Sequence, residues 1–176
     1  MLTKIIRLSF WRLSLFLLFL GILSPNISKA QGPGGGSFGF GLILGEPLGG
    51  TIKIWTSSKN AFVFDIGESY FGSPRLDGDY LWNFNAFRSR IVEFYAGLGL
   101  AVGFGEGDVI LYKRGPHDFY VRNGTDIGLG ARAIFGLDIV PERMPLEFFV
   151  EAGPLLGVSP GFGVGFDFAL GVRFYP

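Results

Sequence analysis

The chain predicts an all-β fold, an eight-stranded antiparallel up-and-down transmembrane β-barrel. Three observations carry that expectation. Apolar residues recur with a period of two from Phe38 onward, and no stretch sustains the helical period of 3.6. Glycine (29) and phenylalanine (20) are both heavily used, and the glycines fall between bulky residues inside the alternating stretches, without a collagen-like period of three. Eight such stretches are separated by turn-forming residues, and an even strand number suits a closed meander.

The strands follow in order. SFGFGLIL (37–44) sets Phe38, Phe40, Leu42 and Leu44 against Gly39, Gly41 and Ile43. GGTIKIWT (49–56) sets Ile52 and Ile54 against Thr51, Lys53 and Trp55, and NAFVFDIGE (60–68) sets Phe62, Phe64 and Ile66 against Val63, Asp65 and Gly67. RLDGDYLWNF (75–84) places Tyr80, Trp82 and Phe84 opposite Asp77, Asp79 and Asn83. In VEFYAGLGLAVGFG (92–105) the bulky residues Val92, Phe94, Leu98, Leu100, Val102 and Phe104 alternate with Glu93, Tyr95 and a run of glycines and Ala101. TDIGLGARAIFGLDI (125–139) opposes Ile127, Leu129, Phe135 and Leu137 to Gly128, Gly130, Arg132 and Gly136. LEFFVEAGP (146–154) opposes Leu146, Phe148, Val150 and Ala152 to Glu147, Phe149, Glu151 and Gly153. The last, GVGFDFALGVRFYP (163–176), opposes Val164, Phe166, Phe168, Leu170, Val172 and Phe174 to Gly165, Asp167, Ala169, Gly171 and Arg173. Gly, Pro, Ser and Asn fill the connections GEPLG, SSKN, YFGSP, NAFRSR, VPERMP and GVSPG, as turns require. The longest connection, EGDVILYKRGPHDFYVRNG, lies between the fifth and sixth strands; with the N-terminus in the periplasm it falls on the extracellular side.

Alternation does not by itself say which face points outward. An eight-stranded barrel has an interior only wide enough to be filled by side chains, and a dozen phenylalanines would overfill it. The small, charged face makes a poor soluble surface but a suitable tight lumen. The greasy face is therefore expected in lipid, where the sheet must close because unpaired backbone groups find no water. A 14-residue closing strand reaches roughly 46 Å at about 3.3 Å per residue. Tilted by about 45° it spans roughly 33 Å, enough for the hydrocarbon core. Trp55, Tyr70, Tyr80, Trp82, Phe87, Phe104, Tyr120 and Tyr175, near strand ends, are expected to form interfacial girdles.

That orientation gathers Lys53, Asp65, Asp77, Asp79, Glu93, Arg132, Glu147, Glu151, Asp167 and Arg173 into one narrow lumen. Buried charges must pair, so these ten are expected to form a structural network in which each base is shared among several carboxylates.

The N-terminus differs in kind. Residues 1–30 combine basic Lys4, Arg7 and Arg12 with an apolar run from Leu13 to Leu23 and small Ser28 and Ala30 before Gln31, the pattern of a cleaved secretory signal peptide. Residues 31–36 form a Gly-rich segment, and 37–176 form the barrel domain. Four of the 15 basic residues belong to the leader, so the remainder carries more acids than bases and does not suit a nucleic-acid partner. The absence of cysteine excludes disulfides and thiolate metal sites. No metal or cofactor is expected.

The stretches GLILGEPLGGTIKIWTSSKNAFVFDIG, DYLWNFNAF, VEFYAGLGL, IFGLDIVPERMPLEFFVEAGPLL and GVRFYP resemble a family of small bacterial outer-membrane β-barrels best known from spirochaetes, similar in plan to the OmpA membrane domain and OmpX. The resemblance covers nearly all of 37–176 and departs at the last residue, where Pro176 follows Tyr175. It implies insertion into the outer membrane by the assembly machinery, with lipid and lipopolysaccharide as surroundings.

Catalytic constellations are weak. The single histidine, His117, has no nearby serine, and the pair Asp77 and Asp79 is better explained by lumen packing than by acid/base work. GGGSFG (34–39) fits a dinucleotide motif but opens a strand, which is the wrong context. Residues Tyr112, Lys113, Arg114, His117, Phe119, Tyr120 and Arg122 give the 106–123 loop the basic and aromatic character of a surface that takes an extracellular or anionic ligand. The expected role is structural or surface-interacting, without catalysis. A narrow channel and a soluble lipocalin-like carrier are the alternatives.

Overall fold

The computed structural model describes residues 32, 35–89, 91–105, 127–142 and 144–176, and the backbone of 111–113 and 119–121. The expected signal peptide, 1–30, lies outside the described residues. Ten strands follow one another: β1 (Phe38–Gly45), β2 (Leu48–Trp55), β3 (Asn60–Ser69), β4 (Gly72–Phe84), β5 (Val92–Gly103), β6 (Leu111–Lys113), β7 (Phe119–Val121), β8 (Gly128–Ile139), β9 (Leu146–Ser159) and β10 (Gly163–Phe174). Eight of them form a closed barrel in the order β1, β10, β9, β8, β5, β4, β3, β2, every neighbouring pair antiparallel. Closure of β1 on β10, with Phe40 opposite Phe174 and Gly45 opposite Ala169, leaves the barrel no open edge.

Some boundaries differ from those read in the sequence. The stretch 70–74 is mostly strand: β3 and β4 meet in a two-residue turn at Tyr70 and Phe71, with a bulge between Gly67 and Ser69. Strand β9 continues through Pro154 and GVS to Ser159, because Gly157 pairs with Gly163 and Ser159 with Leu129, and two neighbouring strands hold a segment that turn composition alone would end. β10 spans 12 residues, and Tyr175 and Pro176 follow it. β6 and β7, unread in the sequence, pair as a small hairpin inside the long connection, Leu111 opposite Val121.

Side-chain direction follows the alternation. Phe166 is 65% exposed and its neighbour Asp167 only 3%. Bulky side chains such as Phe38, Leu42, Phe64, Leu100, Phe135, Phe148 and Phe168 all stand on the outer surface. A lipocalin-like barrel would have the reverse arrangement.

The interior is a packed core, less uniformly small than its glycines imply. Four apolar clusters divide it: Trp55, Ala61 and Tyr175; Val63, Leu81, Tyr95 and Ile134; Ile43, Phe149 and Ala169; Phe71, Ala101 and Leu155. Glycine makes room for the rings. A Cβ on Gly136 would run into the ring and hydroxyl of Tyr95, and one on Gly39 would come within 3 Å of the Tyr175 ring.

Candidate functional site

Between the apolar clusters the lumen holds its charges in two groups. Near the end that carries the chain termini, β2 points Lys53 inward, and its Nζ lies 2.6 Å from Asp138 Oδ2 of β8 and 3.1 Å from Glu147 Oε2 of β9. Arg173 of β10 donates from Nη1 to Glu147 Oε1 at 2.8 Å and from Nε to Thr51 Oγ1 at 3.1 Å. The Tyr175 hydroxyl donates to Glu147 Oε2 at 2.8 Å and accepts from Trp55 Nε1 at 3.1 Å, while Asn83 Nδ2 donates to Asp138. Both cations also sit against rings, Lys53 4.4 Å from the centroid of Trp55 and Arg173 3.8 Å from that of Phe149.

The second group lies toward the long connection. Arg75 of β4 forks both Nη atoms onto Asp167 and donates from Nε to Asp77 Oδ1 at 2.8 Å. Arg132 of β8 bridges Asp77 Oδ2 at 2.5 Å and Glu151 Oε1 at 2.9 Å, with Asp79 Oδ1 at 3.2 Å and Asp167 Oδ2 at 3.8 Å. The Tyr70 hydroxyl donates to Asp167 and the Tyr95 hydroxyl to Glu151. Tyr95 also faces the first group, its ring centroid 5.5 Å from Lys53 Nζ.

Of the residues singled out in the sequence, Lys53, Asp65, Asp77, Asp79, Arg132, Glu147, Glu151, Asp167 and Arg173 lie buried in the lumen. Glu93 is half-buried and makes no ion pair among the described residues. Asp65 is buried beside its cross-strand neighbour Thr51, with no aligned hydrogen bond to either oxygen among the described residues, and Asp79 meets Arg132 at ion-pair distance but without hydrogen-bond alignment. Asp77 and Asp79 are sealed from solvent, so the geometry offers no substrate access to them. Arg114, His117 and Arg122 lie outside the described residues, and of Tyr112, Lys113, Phe119 and Tyr120 only the backbone is described.

Two charged members escaped the sequence reading, Arg75 and Asp138, both essentially fully buried. The signal was present. Arg75 stands two residues before Asp77 and Asp138 two after Gly136, on faces already identified as inward. Each sits at the edge of its segment, where the alternation gives way to turn composition and no longer marks a face. Trp55 and Tyr175, expected in the interfacial girdle, are buried inside the barrel, and Tyr70 turns to Asp167. For Trp55 the inward face of Lys53 decides. For Tyr175 the hydrogen bond from its backbone N to Pro145 O and the acceptor on Glu147 fix the ring inside. Trp82 and Phe87 remain exposed near the terminal end.

Counting the buried set, four cations, Lys53, Arg75, Arg132 and Arg173, face seven carboxylates, Asp65, Asp77, Asp79, Asp138, Glu147, Glu151 and Asp167. Lys53, Arg75 and Arg132 are each held by acids from more than one strand and Arg173 by Glu147 of β9, so the network ties β2, β4, β8, β9 and β10 together across the lumen. Such an arrangement cross-links the wall from inside, and its charged side chains fill the lumen between the apolar clusters.

No protein-family model matches the chain, and no curated protein matches it. Among solved structures it is similar to the N-terminal β-barrel domain of Pseudomonas aeruginosa OprF, with a TM-score of 0.56 at 15% identity, over 83% of this chain and 98% of that one. At that identity the likeness speaks to the fold, and it establishes the chain as a closed, eight-stranded antiparallel β-barrel.

Proposed function

We propose that the chain is an integral β-barrel of the bacterial outer membrane, with a structural or surface-interaction role and no catalysis. One observation carries the reading: thirty large apolar side chains are exposed among the described residues, and on the strands they alternate with a buried, ion-paired interior. Soluble monomers rarely expose apolar patches beyond a few hundred Å². Lipid is the solvent that suits this surface, and closure satisfies the backbone within it. The 106–123 connection would then carry any contact with an extracellular ligand, and lipopolysaccharide and the outer-membrane assembly machinery would be its other partners. The kinship with small spirochaetal barrels is part of the same proposal and rests on the stretches quoted above.

The test is fractionation of the full chain expressed with its leader, followed by gel migration with and without heating. A heat-modifiable band in the outer-membrane fraction is expected. Recovery as a detergent-free soluble periplasmic protein would overturn the proposal. The channel alternative predicts single-channel steps in planar bilayers; with Lys53, Arg75, Tyr95, Leu81, Ile134 and Arg173 filling the bore, none are expected.

A further inference from the structure

Beyond a structural role for the barrel, we propose that the glycine-rich segment before β1 is a strap, which closes the lumen at the end carrying the chain termini and keeps water off the charge group beneath it. Its described residues, Gly32, Gly35 and Gly36, close on one another. Gly35 N–H donates to Gly32 O at 3.0 Å, and Gly32 N–H donates to Gly36 O at 2.8 Å. Gly35 has a φ of 85°, in the left-handed region that glycine enters without steric penalty. Ser37 O then accepts from Trp55 N–H at 2.8 Å, which anchors the strap to β2 immediately before β1 begins.

The contacts of the strap define what it covers. A Cβ added to Gly32 would run into Nε1 and Cδ1 of Trp55, so the bare backbone of this residue lies against that edge of the indole. Gly36 lies beside Tyr175, where an added Cβ would stand 3.3 Å from the Tyr175 Cβ. The covered edge of the indole is the one that donates, from Nε1 to the Tyr175 hydroxyl. That hydroxyl donates to Glu147, and Glu147 takes both Lys53 and Arg173. The strap therefore seals the outermost link of a hydrogen-bonded relay that ends on two buried cations.

Sealing matters because the relay draws its strength from the absence of water. Water at the Tyr175 hydroxyl would compete for its hydrogen bonds and raise the local dielectric, weakening the hold of Glu147 on Lys53 and Arg173. The cover is at the same time lightly held. Its glycines bring no apolar side chain to the contact, and segments with few buried apolar contacts open at a free energy well below that of global unfolding. Opening of the strap admits water to the Trp55 end of the relay while the eight-stranded ladder stays closed.

The experiment uses the full chain folded in detergent and carrying Trp11→Phe and Trp82→Phe, which leaves Trp55 as the one tryptophan of three. Iodide quenching reads access from water, and hydrogen exchange of the indole N–H, followed by NMR, reads the bond to Tyr175. In this parent, Trp55 should resist the quencher and its indole N–H should exchange slowly. Deletion of 32–36, or Gly32→Leu to unseat the strap, should abolish both protections and retain the folded gel band, because the strap lies outside the barrel strands. Gly50→Ala, on the outer face, should change neither. Quenching as strong in the parent as in the deletion, or protection unchanged in both strap variants, would overturn the proposal. Quenching gained while the indole N–H still exchanges slowly would overturn the claim that the strap guards the relay. Loss of the folded band in both variants would overturn the claim that it opens independently of the barrel.

Discussion

Arg132→Met is the perturbation that most directly tests whether the lumen network holds the barrel together. The guanidinium touches Asp77, Asp79 and Glu151 and approaches Asp167. Its removal does not strand all four. Asp77 and Asp167 keep Arg75, and Glu151 keeps the Tyr95 hydroxyl, but Asp79 loses its sole ion-pair partner among the described residues. Removing one member of a buried ion pair costs about 3–5 kcal/mol, because the partner charge stays buried and uncompensated. With a urea dependence of about 2 kcal/mol per molar, the unfolding midpoint should fall by about 2 M. The assay is urea unfolding of the barrel in lipid vesicles, followed by the fluorescence of Trp55 and Trp82. The double variant Arg132→Met with Asp79→Asn removes the stranded carboxylate along with its partner and should recover about 1–3 kcal/mol of the loss. An unchanged midpoint in Arg132→Met, or a double variant no more stable than the single one, would refute the reasoning.

Other expectations follow from the same geometry. Asp65→Asn replaces a carboxylate with no aligned hydrogen bond among the described residues by a neutral isostere, so the midpoint should hold or rise; a loss above about 1 kcal/mol would mean that the carboxylate holds a partner, Thr51 being the nearest, worth that much. Gly136→Val drives its Cβ into the Tyr95 ring and should cost about 1–3 kcal/mol, whereas Gly50→Ala, whose Cβ meets nothing closer than 3.8 Å, should leave unfolding unchanged. Equal effects of the two would remove the claim that inward glycines make room for rings. Phe168→Arg puts a charge on the outer face in mid-strand and should destabilise the barrel in bilayers by about 2–4 kcal/mol, and an unaltered midpoint in vesicles would count against a lipid-facing surface.

The amino-acid order alone determined the architecture. A strict period of two tells inward from outward at each strand, as at Phe166 and Asp167, because successive Cβ atoms leave opposite faces of a sheet. The volume of the phenylalanines then selects the outward face for them, since no eight-stranded bore would hold them. What those local rules do not contain is the register that turns eight strands into one lumen. Lys53 meets Asp138 across 85 positions of sequence, and Arg75 meets Asp167 across 92. Only the closed ring, with its particular pairing of β1 to β10 and β5 to β8, decides which carboxylate each cation reaches and leaves Asp65 without an aligned hydrogen bond among the described residues. The same holds at the ends of strands. There turn-forming residues blur the alternation, so Arg75, Asp138 and the inward turn of Tyr175 depended on neighbouring strands to hold them in place. Ion pairing in a lumen is a property of the closed sheet, and the faces of its strands are a property of the chain.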